Sequence, residues 1–223
     1  QPALTRQTGL DADAPTLRLD FHSNRLESTT AITGQISVAS DHECVFTSDK
    51  TLDGLQLDGA TMLTVPADQA AELLPTESFT AEAWVRIDQT LDWGSMIGAI
   101  QDNGNYERGW LLGYRGDRFC LGVASENTGS LTYMTSPSAY RTGQWSHVVG
   151  VYDGTKMRLY VNGRLEVESD AQSGPILYPE NGRLTFTVGA YHDDNEKYPM
   201  TGLLHRVALF DRPLDAATIR ERF

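Results

Sequence analysis

The chain has 223 residues and a formal net charge of −12, with a sequence pI near 4.7. So acidic a surface disfavours a phosphate backbone, and nucleic acid is not expected as a partner. No apolar run is long enough to span a membrane, and a 40% hydrophobic content suffices for the core of one soluble β domain.

The opening QPALTRQTGLDADAP is polar and mixed and lacks the apolar centre of a signal peptide. It reads as a mature N-terminus or a linker, which puts an extension at residues 1–16 and a domain at 17–223. Leu17, Leu19 and Phe21 alternate in LRLDF, the first expected strand. The stretch from Ser23 to Ser40 is rich in Ser, Thr and Gly and is anchored by Ile32, Ile36 and Val38, so short strands and loops are expected there. Cys44 and Cys120 are the two cysteines. In an exported protein such a pair can form a disulfide, or the two can be separate buried thiols. Alternation puts Cys120 on the face opposite Phe119, Leu121 and Val123.

Two polar loops stand out in the middle of the chain. QDNGNYERG (Gln101 to Gly109) lies between the strand-like GSMIGAI and WLLGYRG, and YHDDNEKYP (Tyr191 to Pro199) lies between LTFTVGA and GLLHRVALF. Each polar cluster is bracketed by aromatics, Tyr106 and Trp110 in the first, Tyr191 and Tyr198 in the second. Arg108, Arg115 and Arg118 are close enough in sequence for a basic patch, although a solvated strand edge explains them as well.

The segment from Gly143 to Ser169 carries the strongest local signal. Trp145, His147, Val149 and Val151 alternate with their neighbours, and Met157, Leu159 and Val161 repeat the pattern. Asp153-Gly154 and Asn162-Gly163 supply hairpin turns, so three antiparallel strands are written in one short stretch. Within them W-S-H-V-V-G-V-Y-D-G-T-K-M-R-L-Y-V-N-G resembles the signature hairpin of laminin G-like jelly-roll modules, a branch of the concanavalin A-like lectin and glucanase superfamily. GLQLDGATMLTVP from Gly54 and FTAEAWVRI from Phe79 are similar to the family's early strands. LTFTVGA from Leu184 and GLLHRVALFDRPL from Gly202 are similar to its last ones.

The resemblance implies an all-β fold, a two-sheet antiparallel sandwich, whose two polar loops approach one another at one end. The candidate ligand residues are then Asp102, Asn103, Tyr106, Arg108 and Trp110 with Tyr191, His192, Asp193, Asp194, Asn195 and Tyr198. Aromatic rings that cover the C–H faces of a pyranose, beside carboxylates, amides and an arginine that hydrogen-bond its hydroxyls, suit a sugar. The family also implies calcium, for which Asp102, Glu107, Asp193, Asp194 and Glu196 are hard donors and Asp193 and Asp194 the candidate ligands. Here the sequence departs from the family. Its last-strand Gly-x-Ile-Asp-Glu-Val stands as Gly202, Leu203, Leu204, His205, Arg206, Val207, so His205 replaces a carboxylate.

Enzymatic signatures are missing from the chain. No acidic residues alternate as in the superfamily's glucanases, no Gly-x-Ser-x-Gly elbow occurs, and His22, His42, His147, His192 and His205 show no metal spacing. Glu166 and Glu168 read as a solvated edge. His147, in W-x-H-V, reads as a buried ring satisfied by a backbone partner. Trp84 and Trp145 read as core, and Trp93 and Trp110, nearer loops, as ligand candidates. Pro213 and Asp215 set up a short C-terminal helix. The expected function is a non-catalytic carbohydrate-binding module of an exported, extracellular or periplasmic, multidomain protein, with a polysaccharide as partner. The alternatives are a protein-interaction or adhesion module and, less favoured, a glycan hydrolase or lyase.

Overall fold

The structure is a computed structural model that describes residues 14–22, 25–30, 39–40, 42–180 and 184–223. In chain order the first strands are β1 (Leu17–His22), β2 (Arg25–Thr30), β3 (Ala39–Ser40), β4 (Val45–Ser48), β5 (Asp53–Asp58) and β6 (Leu63–Val65), followed by helix α1 (Ala67–Leu73). The central strands are β7 (Phe79–Gln89), β8 (Gly94–Asn103), β9 (Tyr106–Arg115), β10 (Arg118–Ala124), β11 (Leu131–Thr135) and β12 (Trp145–Tyr152). Then come β13 (Met157–Val161), β14 (Arg164–Ser169), β15 (Phe186–Val188), β16 (Ala190–His192), β17 (Lys197–Pro199), β18 (Thr201–Phe210) and helix α2 (Ala216–Arg222).

Two antiparallel sheets form a sandwich. The larger runs β14-β13-β12-β7-β18-β1-β2, with β5 beside β18 and β4 beside β5, and the smaller runs β11-β10-β9-β8-β15-β6-β3. Strand alternation decides what lies between them. Phe79, Ala81, Ala83, Val85 and Ile87 of β7 meet Trp110, Leu112 and Tyr114 of β9 in one buried cluster. The intervening Thr80, Glu82, Trp84 and Arg86 belong to the outer face of the larger sheet.

That outer face is partly covered. Asp215 caps α2 by accepting the Thr218 amide at 2.7 Å, which satisfies one of the amides a helix start leaves free. Ile219 then packs against Val149, Val151, Tyr160 and Phe210. The short C-terminal helix foreseen from Asp215 is present. Helix α1 was not foreseen, and it places Ala70 and Leu73 in the main core. Leu17 is the first residue of β1. Residues 1–13, Ile32, Ile36 and Val38 lie outside the described residues.

Candidate functional site

The register of β8 against β9 pairs Ala99 with Trp110, Ile100 with Gly109, Gln101 with Arg108, Asp102 with Glu107 and Asn103 with Tyr106. Paired residues share a face, so Asp102 and Glu107 lie on the outer face of the smaller sheet, together with Ile100 and Leu111. Cys120 of β10 joins them, and Trp93, Leu131 and Tyr133 pack on the same small cluster. Gly122 is opposite Tyr133, and a Cβ there would sit 2.9 Å from the Tyr133 ring. The absent side chain is what lets that ring approach the sheet so closely.

The β16–β17 hairpin crosses this face. Tyr191 and Tyr198 are cross-strand partners, with ring centroids 5.9 Å apart. At the hairpin tip Asp193 accepts the amides of Asn195 at 3.0 Å and Glu196 at 2.7 Å through one oxygen, an Asx-type turn. Its other oxygen accepts the Asp102 amide at 3.3 Å, and Asn103 donates its side-chain amide to Asp194. These bonds fasten the hairpin to the β8 end, so the two polar loops do meet.

Above this anchor runs a line of aromatic rings. Trp93 lies 4.7 Å from Tyr133 and 6.0 Å from Tyr191, and Tyr198 continues the line. The Arg115 guanidinium stands 4.6 Å over the Trp93 ring, a cation–π geometry. The Tyr133 hydroxyl donates to Asp102 at 2.6 Å and that of Tyr198 to Glu196 at 3.1 Å. Burial, the neighbouring Tyr191 and the bond to Asp102 all push the Tyr133 hydroxyl up. Burial and the charges of Asp102 and Asp193 do the same to Tyr191. Both stay neutral donors over the range in which proteins work.

A family model described as the concanavalin A-like lectin/glucanases superfamily, of laminin G type, matches residues 57–220. The chain belongs to this superfamily. Its fold resembles domain 4 of AbnA, an extracellular arabinanase from Geobacillus stearothermophilus solved with arabinotriose. The two are 16% identical with a TM-score of 0.69, over 93% of this chain and 97% of that one. It also resembles the binding domain of Paraclostridial Mosquitocidal Protein 1 at 11% identity and a TM-score of 0.70, over 94% of this chain and 52% of that one. In sequence it is 29% identical to pappalysin-1 of Mus musculus over 117 residues, 48% of this chain and 7% of that protein's length.

Within this lectin/glucanase-superfamily sandwich the expected site residues divide. Tyr198 is 39% exposed, whereas Tyr191 is 2% and Asp193 1% exposed. Tyr191 therefore supports the surface from below, and Asp193 is spent on capping its own turn. Trp110 is a correction. Parity turns it inward, it is fully buried, and its Nε1–H donates to the Tyr178 hydroxyl at 2.9 Å. Tyr106 and Arg108 are on the opposite parity from Asp102, at the rim. There Arg108 stacks 4.7 Å over Tyr106 and donates to the Glu107 carbonyl at 2.7 Å. The imidazole of His192 is held by the Glu196 carbonyl, 2.9 Å from Nδ1, and Asn195 is exposed at the tip. Tyr133 and Arg115, outside the expected set, lie on the same face as Trp93 and Tyr191. Their signal was the outward parity of Tyr133 opposite Gly122 and of Arg115 after Tyr114.

The calcium expectation does not fit these residues. Asp193 already accepts backbone amides through both oxygens and Asp194 is bonded to Asn103. Among the described residues no group of three or more His, Cys, Asp or Glu side chains is placed to hold an ion. His205, at the position of the missing carboxylate, is within 2.7 Å of the Asp53 carbonyl. Three further expectations are corrected. His147 is buried, but its ring partner is the Glu82 carboxylate at 3.2 Å, and its backbone amide donates to the Asn162 side chain. Trp84 and Trp145 occupy outward positions of β7 and β12 rather than the core, and Trp145 donates to Asp49 at 2.6 Å. Of the two cysteine alternatives the structure has free thiols, with Cys120 on the face opposite Phe119, Leu121 and Val123, as alternation required.

Proposed function

We propose that this domain is a non-catalytic glycan-binding module of an exported, multidomain protein, and that it holds a saccharide chain on the outer face of the smaller sheet. The observation that carries the reading is the line Trp93, Tyr133, Tyr191, Tyr198, bordered by Asp102, Glu196 and Arg115. The partly exposed rings of Trp93, Tyr133 and Tyr198 offer stacking surfaces for sugar C–H faces, with buried Tyr191 supporting them from below, and the bordering groups supply directional hydrogen bonds. Little ordering entropy opposes binding, because the hairpin is already fastened to β8.

The arabinotriose complex of AbnA domain 4 supports a saccharide role for this architecture, and the extracellular origin of that arabinanase supports export. Since the chain spans 7% of pappalysin-1, attachment to further domains is part of the proposal, and such attachment raises the effective concentration of a weak site. The test is affinity electrophoresis and a glycan array with the wild-type domain and Trp93→Ala. Retention by one or more glycans that is lost in the variant is expected. No retention of any glycan by folded protein overturns the reading and favours a protein-interaction module.

A further inference from the structure

The aromatic line is surrounded by acid. Asp102 touches Tyr133, Glu196 touches Tyr198, Asp193 and Asp194 fasten the hairpin tip at the same end, and Asp92 precedes Trp93 in the chain and acts electrostatically on Tyr198. Against these stand Arg115, stacked on Trp93, and its cross-strand partner Arg118, whose guanidinium donates to the Ser136 carbonyl at the sheet edge. Lys197 and His192 pair with each other across the hairpin, so alternation sends both to the side away from Tyr191 and Tyr198. The whole chain, at −12, adds a field of the same sign.

The hydrogen-bonding inventory leans the same way. A carboxylate is acceptor-only and has about four lone-pair positions. The Tyr133 and Tyr198 hydroxyls fill one position each on Asp102 and Glu196. The site thus offers a surplus of acceptors and, apart from Arg115, few donors. A carboxylate or sulfate on a ligand adds acceptors and like charge, both unfavourable. An ammonium supplies three donors and the opposite charge.

Resting on the glycan-binding reading, we propose that the site selects saccharides by charge, taking chains that carry free amino groups and rejecting uronates and sulfated chains. The rings bind the sugar faces, and Asp102 and Glu196 receive the ammonium. Exposed charge pairs contribute modestly, about two- to fivefold in affinity each, so the effect is a preference read by comparing like with like.

The experiment titrates the domain with length-matched glucosamine oligomers, their N-acetylated counterparts and galacturonate oligomers. It is run at about pH 5.5, where Asp and Glu remain ionised, in about 50 mM and about 0.5 M NaCl. The expected order is amine, then N-acetyl, with galacturonate unbound. The gap between the first two shrinks to near unity in high salt, where exposed charges are screened within a few ångström, and in Asp102→Asn/Glu196→Gln. Equal or tighter binding of the N-acetyl or galacturonate oligomers, or a gap that survives salt and the double substitution, overturns the charge selectivity. If all three oligomers fail while a neutral glycan is retained on the array, the selectivity is wrong and the glycan-binding function stands. If nothing on the array is retained, the function itself falls.

Discussion

Trp93 is the residue on which the surface turns, because it touches Tyr133, Tyr191 and Arg115 and is still only half-buried. Truncating it removes stacking surface without opening the core, so Trp93→Ala and Tyr198→Ala are expected to lose glycan retention while the thermal midpoint moves by no more than a few degrees. Tyr191→Ala is expected to behave differently. Its ring is packed beneath the hairpin with Ile100, Leu111 and Cys120, and deleting a buried aromatic of this size costs about 3 kcal/mol. A Tyr191→Ala domain as stable as wild type would contradict the packing described. Cys120 gives a chemical check on the same cluster. Burial pushes its thiol up to about 12, so a thiolate-seeking reagent should label half-buried Cys44 first and leave Cys120 untouched until unfolding. Labelling of Cys120 in the native domain would mean that this outer cluster is open to solvent.

Glu82 performs at the level of elements what Asp193 performs at a turn, since one carboxylate joins β7, β12, β18 and α2. It receives Arg222 at 2.6 Å, Arg206 at 3.2 Å and His147 at 3.2 Å, and is itself fully buried. Burial pushes its carboxyl up, but the His147 hydrogen bond and the charges of Arg222 and Arg206 outweigh this and hold it below the ordinary range. Removing the charge strands buried guanidinium groups, at about 3 kcal/mol or more. Glu82→Gln is therefore expected to lower stability and to speed amide exchange in α2 before the rest of the sandwich. Unchanged protection of α2 would remove Glu82 from this role. Nothing in local pattern foretells such a centre. Trp84 and His147 sit in apolar-looking strands, and only the arrival of α2 from the end of the chain makes their outer face an interior. By contrast, the hairpins from Trp145 to Ser169 were readable, because Asp-Gly and Asn-Gly turns and strict alternation are local properties. The meeting of the two polar loops followed from the family's topology. Trp110 looks loop-like by its place beside a polar stretch, yet the parity that sends Leu111 outward turns it inward, and the position of Tyr133 on the outer face depends on Gly122, a cross-strand partner far from it in sequence.

For the whole molecule, acidity has two opposed consequences. A net charge of −12 means self-repulsion at neutral pH, which eases as carboxylates titrate toward the pI near 4.7. Particular carboxylates work the other way. Burial pushes Asp49 up, but bonds from Arg86, the Thr51 and Leu52 amides and Trp145 bring it to about 2. Asp153 is likewise raised by burial, yet bonds from Thr155 and Arg158 bring it to about 2. Glu82 is depressed as well. Each group has a folded value below its unfolded one, near 4 for such acids. Each thus contributes stability that is present above about pH 4 and is lost as the pH falls through the folded value. The expected profile in low salt is a midpoint that rises slightly from pH 7 toward the pI, then falls between about pH 4 and about pH 2. Salt separates the two terms. Screening at about 0.5 M NaCl flattens the rise, which comes from distant exposed charges, while the fall persists because it comes from short, hydrogen-bonded pairs. Calorimetry across this range in both salts is the check. Below the pI positive charge accumulates and repulsion returns, so a midpoint that keeps rising to pH 2 would mean that Asp49, Asp153 and Glu82 hold no such stability, and a fall that disappears in high salt would mean that they are not bound as described.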